Sequence, residues 1–271
     1  MHPDSEVFPG DFRMVGNNRS IPWQRVRRAG PFHAINIDLC GGFAGEEKSA
    51  GIPNYFAALQ ALLQHQAYSN EDFILFITTR MDDGNVAPET LEKLNSIAQA
   101  IHDTCEEYAN EFAGAWGIPA PAAPIRIREV ASTAEAFMLG LTQWIVSRGV
   151  HSGLKASVRS FMTYRTGGES GEDDIVSLAI RFKPDPILHD PYGLVRVVPA
   201  QVSADERERQ QSPAIPRKVR GRTMVDHVLR TQAEAFERCM EESRMLLTSA
   251  GFDGDSYRAW VMTEKERYAV V

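Results

Sequence analysis

The hydrophobic pattern has one dominant feature, the continuous run Phe73, Ile74, Leu75, Phe76 and Ile77, followed by Thr78, Thr79 and Arg80. A run this short and this apolar predicts a strand over 73–79, covered on both faces. A shorter run at 35–39 ends on Asp38 and Leu39 and passes at once into Cys40, Gly41, Gly42, Phe43, Ala44 and Gly45. Between the two, Phe56, Leu59, Leu62 and Leu63 recur at helical spacing behind Pro53 and Asn54, which predicts a helix over 55–68. Strand, glycine turn, helix, strand is the building unit of parallel α/β sheets, and such sheets bind small ligands at the carboxyl ends of their strands.

Later segments are read the same way. Pro88 and Glu89 open a long amphipathic helix with Leu91, Leu94, Ile97, Ile101 and Cys105 along one side. Glu106, Glu107 and Glu111 crowd its end, against the helix-dipole preference. A proline-rich break follows, then a short strand at 125–130 and a helix at 133–148, apolar round much of its circumference and so expected to be buried. Residues 155–166 and 175–183 alternate apolar with polar and are joined by a glycine-rich tip, predicting a β-hairpin. The stretch 201–222 is charged and aperiodic, which predicts a linker. One helix is expected over 223–248, with an edge strand or a partner-bound tail after it. The expected organisation is an irregular lead-in at 1–31 with a short helix near Trp23, an α/β domain at 32–199, the linker at 200–222, and a C-terminal helix and tail at 223–271.

Composition narrows the function classes. With 271 residues, 43% of them hydrophobic, the chain suffices for one large α/β domain. A formal charge of -7 argues against a protein that coats nucleic acid through its overall field. Two local basic groups remain as candidate phosphate contacts: Arg25, Arg27 and Arg28, and the cluster Arg217, Lys218, Arg220 and Arg222. Three scattered cysteines suggest neither a disulfide framework nor a zinc cluster, and the histidines lack metal spacing, so no metal is expected. No apolar run reaches the roughly 18 residues of a membrane span, and a cytoplasmic protein without a membrane partner is expected.

Candidate chemistry gathers at the two strand ends. Asp38 with the glycines forms one group; Arg80, Asp82 and Asp83 form the other, bringing a guanidinium and carboxylates to the same end of the sheet. A second acid-Pro-aromatic sequence, Asp190, Pro191, Tyr192 and Gly193, is also an ordinary turn sequence. Cys40 beside the glycines has no histidine placed by sequence to activate it.

The order strand-Asp-Gly turn, helix, strand, helices and antiparallel hairpin over residues 32–183 resembles the second half of the Rossmann-like, S-adenosylmethionine-dependent methyltransferases. The run Ile37, Asp38, Leu39, Cys40 and Gly41 is similar to the Asp-Pro-Phe-Gly motif of tRNA guanine dimethyltransferases, with Leu39 where that motif has proline. In that family the fourth strand ends in a motif contacting substrate and cofactor, the fifth follows a helix, and a hairpin closes the sheet. The resemblance implies a Rossmann-like three-layer α/β fold, incomplete because 31 residues precede the block, with a C-terminal β-hairpin and an added helix. It implies a methyltransferase-related subunit completed by a protein partner, within an assembly of the nucleic-acid-directed or defence-related kind, with Asp38 and Arg80 in catalytic positions. A competing alignment takes the same residues as the first motif of an active enzyme. It implies that Gly41, Gly42 and Gly45 let the backbone approach S-adenosylmethionine, and that Asp38 and Asp82 bind the cofactor. A third alternative is a scaffold whose glycine turn serves packing alone.

Overall fold

The computed structural model describes residues 7–39, 41–45, 51–119, 125–166, 173–186, 194 and 202–268. The fold is mixed α/β, with an open five-stranded sheet.

A 3-10 turn, Phe12–Gly16, and α1, Ile21–Ala29, make up the lead-in, with Ser20 capping α1 by accepting from the Trp23 amide. Strand β1, Ala34–Asp38, is joined through α2, Tyr55–Gln66, to β2, Phe73–Arg80. The two strands pair in parallel, Ala34 opposite Ile74 and Asp38 opposite Thr78. The helices α3, Pro88–Thr104, α4, Glu106–Trp116, α5, Ile127–Val130, and α6, Thr133–His151, then lead to the hairpin. Its strands are β3, Leu154–Tyr164, and β4, Ile175–Pro184. Strand β4 inserts antiparallel between β2 and β3, giving the order β1-β2-β4-β3-β5.

The sheet's covered side is built around α6, which is buried on nearly all sides, as its sequence predicts. Helix α3 presses so closely on it that a Cβ at Gly140 would lie 2.4 Å from the Leu94 carbonyl oxygen, so only glycine fits there. Phe73, Leu75, Ile77, Val176, Leu178, Ile180 and Phe182 face this layer and are buried.

The opposite sheet face is open. Ala34, Asn36, Asp38, Phe76, Ser157 and Met162 are exposed there, Phe76 by 37% and Met162 by 43%. Strands β1, β2 and β3 run parallel and are laid down in one direction, and right-handed crossovers then put every connecting helix on the same side. Covering the second face requires the chain to reverse direction across the sheet, as doubly wound folds do. The expectation that β2 is covered on both faces therefore holds on one.

Five further expectations are corrected. Residues 125–130 hold the short helix α5, not a strand. The long helix after Pro88 breaks at Cys105, whose extended backbone ends α3 and starts α4. Glu106 and Glu107 thus lie in the first turn of α4, where the dipole favours acids. The stretch 200–222 is no linker: among its described residues are α7, Ala204–Gln211, and α8, Ala214–Arg220, with Ile215, Pro216 and Val219 buried. Its prolines start α8 rather than break it. The expected single helix over 223–248 is a two-residue strand β5, Thr223–Met224, pairing with β3, then α9, Val225–Thr231, and α10, Ala233–Ser249. The tail forms α11, Gly254–Tyr268, instead of an edge strand. The hairpin tip at 167–172 lies outside the described residues.

Candidate functional site

Parallel pairing of β1 and β2 brings their carboxyl ends together, so Asp38 and Arg80 share one end of the sheet. The glycine turn crosses this end and is fastened from two sides. The Phe43 amide donates to Thr79 Oγ1 at 2.7 Å, and the Ala44 carbonyl accepts from the Ala87 amide at 2.9 Å. Phe43 is buried against Phe56, ring centroids 4.9 Å apart.

The three glycines differ. A Cβ on Gly42 would lie 1.9 Å from the Asn85 carbonyl oxygen, so the loop after β2 presses directly on the turn. Gly45 has the same oxygen at an ordinary 3.5 Å, while Gly41 faces open space. Asp82 organises that pressing loop. Its carboxylate accepts from the Gly84 amide at 3.1 Å and from Asn85 Nδ2 at 2.9 and 3.0 Å. Asp83 is exposed.

Arg80 points into the hairpin's open end. Its Nη1 lies 3.2 Å from Asp174 Oδ2, 3.7 Å from Asp82 Oδ2 and 3.3 Å from Thr166 Oγ1. Burial alone would raise the Asp174 carboxyl, but donation from the Thr166 hydroxyl and amide, with Arg80 alongside, holds it below the usual carboxylate range. Tyr164 stands among these groups. Burial raises its phenol, and the Asp38 and Asp174 carboxylates raise it further against the opposing charge of Arg80. The result is a polar cluster at the strand ends in which Arg80 joins Asp82, Thr166 and Asp174, with Asp38 and the neutral phenol of Tyr164 nearby.

Sequence reasoning brought Asp38, Arg80 and Asp82 to this end but missed Tyr164, Thr166 and Asp174. They arrive because β4 inserts next to β2, and no local sequence signal announces that pairing. Cys40 and Asp190, Pro191, Tyr192 and Gly193 lie outside the described residues.

The basic cluster at 217–222 is engaged within the chain, although Arg217 and Arg220 stay exposed. Arg220 and Arg222 hold buried Glu135 at 2.8 and 3.0 Å, Arg217 lies 3.7 Å from Glu111, and Lys218 donates to the Arg159 carbonyl at 2.9 Å. Glu135 also accepts from the Ser132 amide and Trp116 Nε1. In the lead-in, Arg25 lies over the Phe8 ring.

Two surface grooves lie away from the strand ends. One of about 550 Å³ runs between α3 and α5 past Asn95, Gln99 and Arg126; the other, about 560 Å³, lies beside α2 and is lined by Asn17, Trp23 and Gln60. Among the described residues no group of His, Cys, Asp and Glu is arranged to hold a metal ion, and no helix is long and apolar enough to cross a membrane.

No curated protein and no solved structure matches the chain. A family model described as PP_RS20740-like matches residues 1–262, and the chain belongs to that family.

Proposed function

We propose that the chain is a methyltransferase-related subunit that lacks a complete cofactor site of its own and works within a multi-protein assembly. The observation that carries this reading is the sheet itself. Two parallel strands followed by an inserted hairpin reproduce the fourth strand, the fifth strand and the closing hairpin of the resemblance, and β1, the fourth-strand equivalent, is the edge strand. Its outer side is where a completing half would attach, supplied by a partner polypeptide. A nucleic-acid-directed or defence-related setting for that assembly comes from the resemblance alone.

In this reading the turn of the isolated chain does not hold S-adenosylmethionine by itself. The space beside Gly42 is filled by the Asn85 carbonyl, and the Asp82 carboxylate already accepts from Gly84 and Asn85. Gly41 is different: among the described residues nothing lies within 4 Å of a Cβ built there, so its smallness is available to whatever approaches from outside. Asp38 and Arg80 then lie at the strand ends next to the edge that a partner half would extend, with Arg80 held by Asp174.

Calorimetry with S-adenosylmethionine tests the proposal, first on the chain alone and then on material co-purified from its native host. The expected outcome is no heat from the chain alone and saturable binding by the complex. Binding by the lone chain supports the active-enzyme alternative. A chain that co-purifies with nothing overturns the assembly reading and leaves a scaffold.

A further inference from the structure

The chain carries two surfaces with exposed apolar side chains, and no strong contact joins them among the described residues. One is the open sheet face, with Phe76 and Met162 set in a floor of small residues, Ala34, Ser157 and Ala179 among them. The other is the helical hairpin of α10 and α11, which pack chiefly on each other and on α9 rather than on the sheet. Its Leu246 is 70% exposed and its Trp260 60%, with Met245 and Phe252 also open. A helical hairpin that packs chiefly on itself and on α9 leaves apolar area in water, and so does a one-sided sheet.

We infer that the chain forms a two-fold dimer in which the α10–α11 hairpin of each copy covers the open sheet face of the other. The charges are complementary. Between residues 233 and 264 the hairpin carries seven acids against three arginines, whereas the open face presents Lys155, Arg181 and Lys183 at one end, the last two sharing the single carboxylate of Asp72 at 2.6 and 3.4 Å, so that positive charge is in excess there. The sizes also match. A hairpin of 17-residue and 15-residue helices is about 25 Å long and about 20 Å across. Four strands span about 19 Å, and the 8 residues of β2 run about 26 Å. A footprint near 500 Å², used twice by symmetry, gives about 1,000 Å² per copy, against the roughly 800 Å² per partner of a standard stable interface. Because every copy has both surfaces, reciprocal exchange satisfies both at once and closes the assembly. The outer side of β1 stays free in this dimer, so the inference does not depend on the methyltransferase reading.

Sedimentation of the full-length chain over the micromolar range tests it, with Phe76→Glu as the face variant and Leu246→Glu as the hairpin variant. Met162→Glu and Trp260→Glu serve as second choices. All four positions are exposed, so circular dichroism should report unchanged folding. The wild type is expected to be dimeric, and each variant alone should raise the dissociation constant by about tenfold or more. Mixing a face variant with a hairpin variant should restore association, because one intact contact then forms between them. A monomeric wild type overturns the inference. So does a face variant that leaves the dimer intact, which points to hairpin-on-hairpin pairing, or a mixture that restores nothing.

Discussion

The two faces of the sheet are cut from the same strands yet obey different rules. On the covered face Phe182, Leu75 and Ile77 are completely buried, with the Phe182 and Phe73 rings stacked 5.0 Å apart. On the open face Phe76 is a third exposed, although it sits between Leu75 and Ile77 in the same strand. A strand alternates its side chains, so one residue step moves a position from core to solvent. The sequence of β2 shows no such alternation. The asymmetry therefore comes from topology, the one-directional laying down of parallel strands, and not from local composition.

The largest expected effect separates the two faces directly. Phe182→Ala empties a fully buried site and should lower the unfolding free energy by about 3–5 kcal/mol, whereas Phe76→Ala should change it by less than about 1 kcal/mol. Urea denaturation of the chain below its association threshold measures both. Equal losses would mean that Phe76 is covered in solution and would break the comparison.

Glu135 sharpens the contrast from the covered side, where a charge is kept buried by its partners. Burial raises its carboxyl, but the Ser132 amide with Arg220 and Arg222 reverses this and holds it below its ordinary value of 4.5. The stabilisation is present in full above that value and is lost as pH falls through the lower, folded one. Glu135→Gln should lose about 1.5–3 kcal/mol at neutral pH. Its stability should also fall less steeply than the wild type's below pH 4.5. Urea midpoints measured at neutral and acidic pH check both expectations.

The parts of the fold that were legible in the sequence are those whose signal is local. A continuous apolar run gave away β2, Asp38 followed by glycines marked the end of β1, and two alternating segments announced the hairpin. Helices α7 and α8 were hidden because Ile215 and Val219 are nearly their whole apolar contribution, too little to register as a period. The break at Cys105 was hidden because α3 and α4 keep apolar residues in step across it. At the candidate site Asp38, Arg80 and the glycines were visible. Tyr164 and Asp174 were not, because their position depends on β4 lying between β2 and β3, a pairing across roughly a hundred residues.

The smallest effect concerns the glycine turn, where the difference between packed and open surfaces recurs within two residues. A methyl group on Gly42 meets the Asn85 carbonyl, and the loop held by Asp82 must shift to admit it. Gly42→Ala should therefore lose about 1–3 kcal/mol. Gly41→Ala meets nothing among the described residues, and removing a glycine restricts the unfolded chain, so stability should hold or rise by up to about 1 kcal/mol. Thermal unfolding of the two variants decides this. If Gly42→Ala is harmless, the turn is not clamped and the argument against a cofactor beside it fails. If both behave as expected, Gly41 can be substituted without harm to the fold. Any loss that Gly41→Ala causes in the proposed assembly would then report on a contact made there and not on this chain's stability.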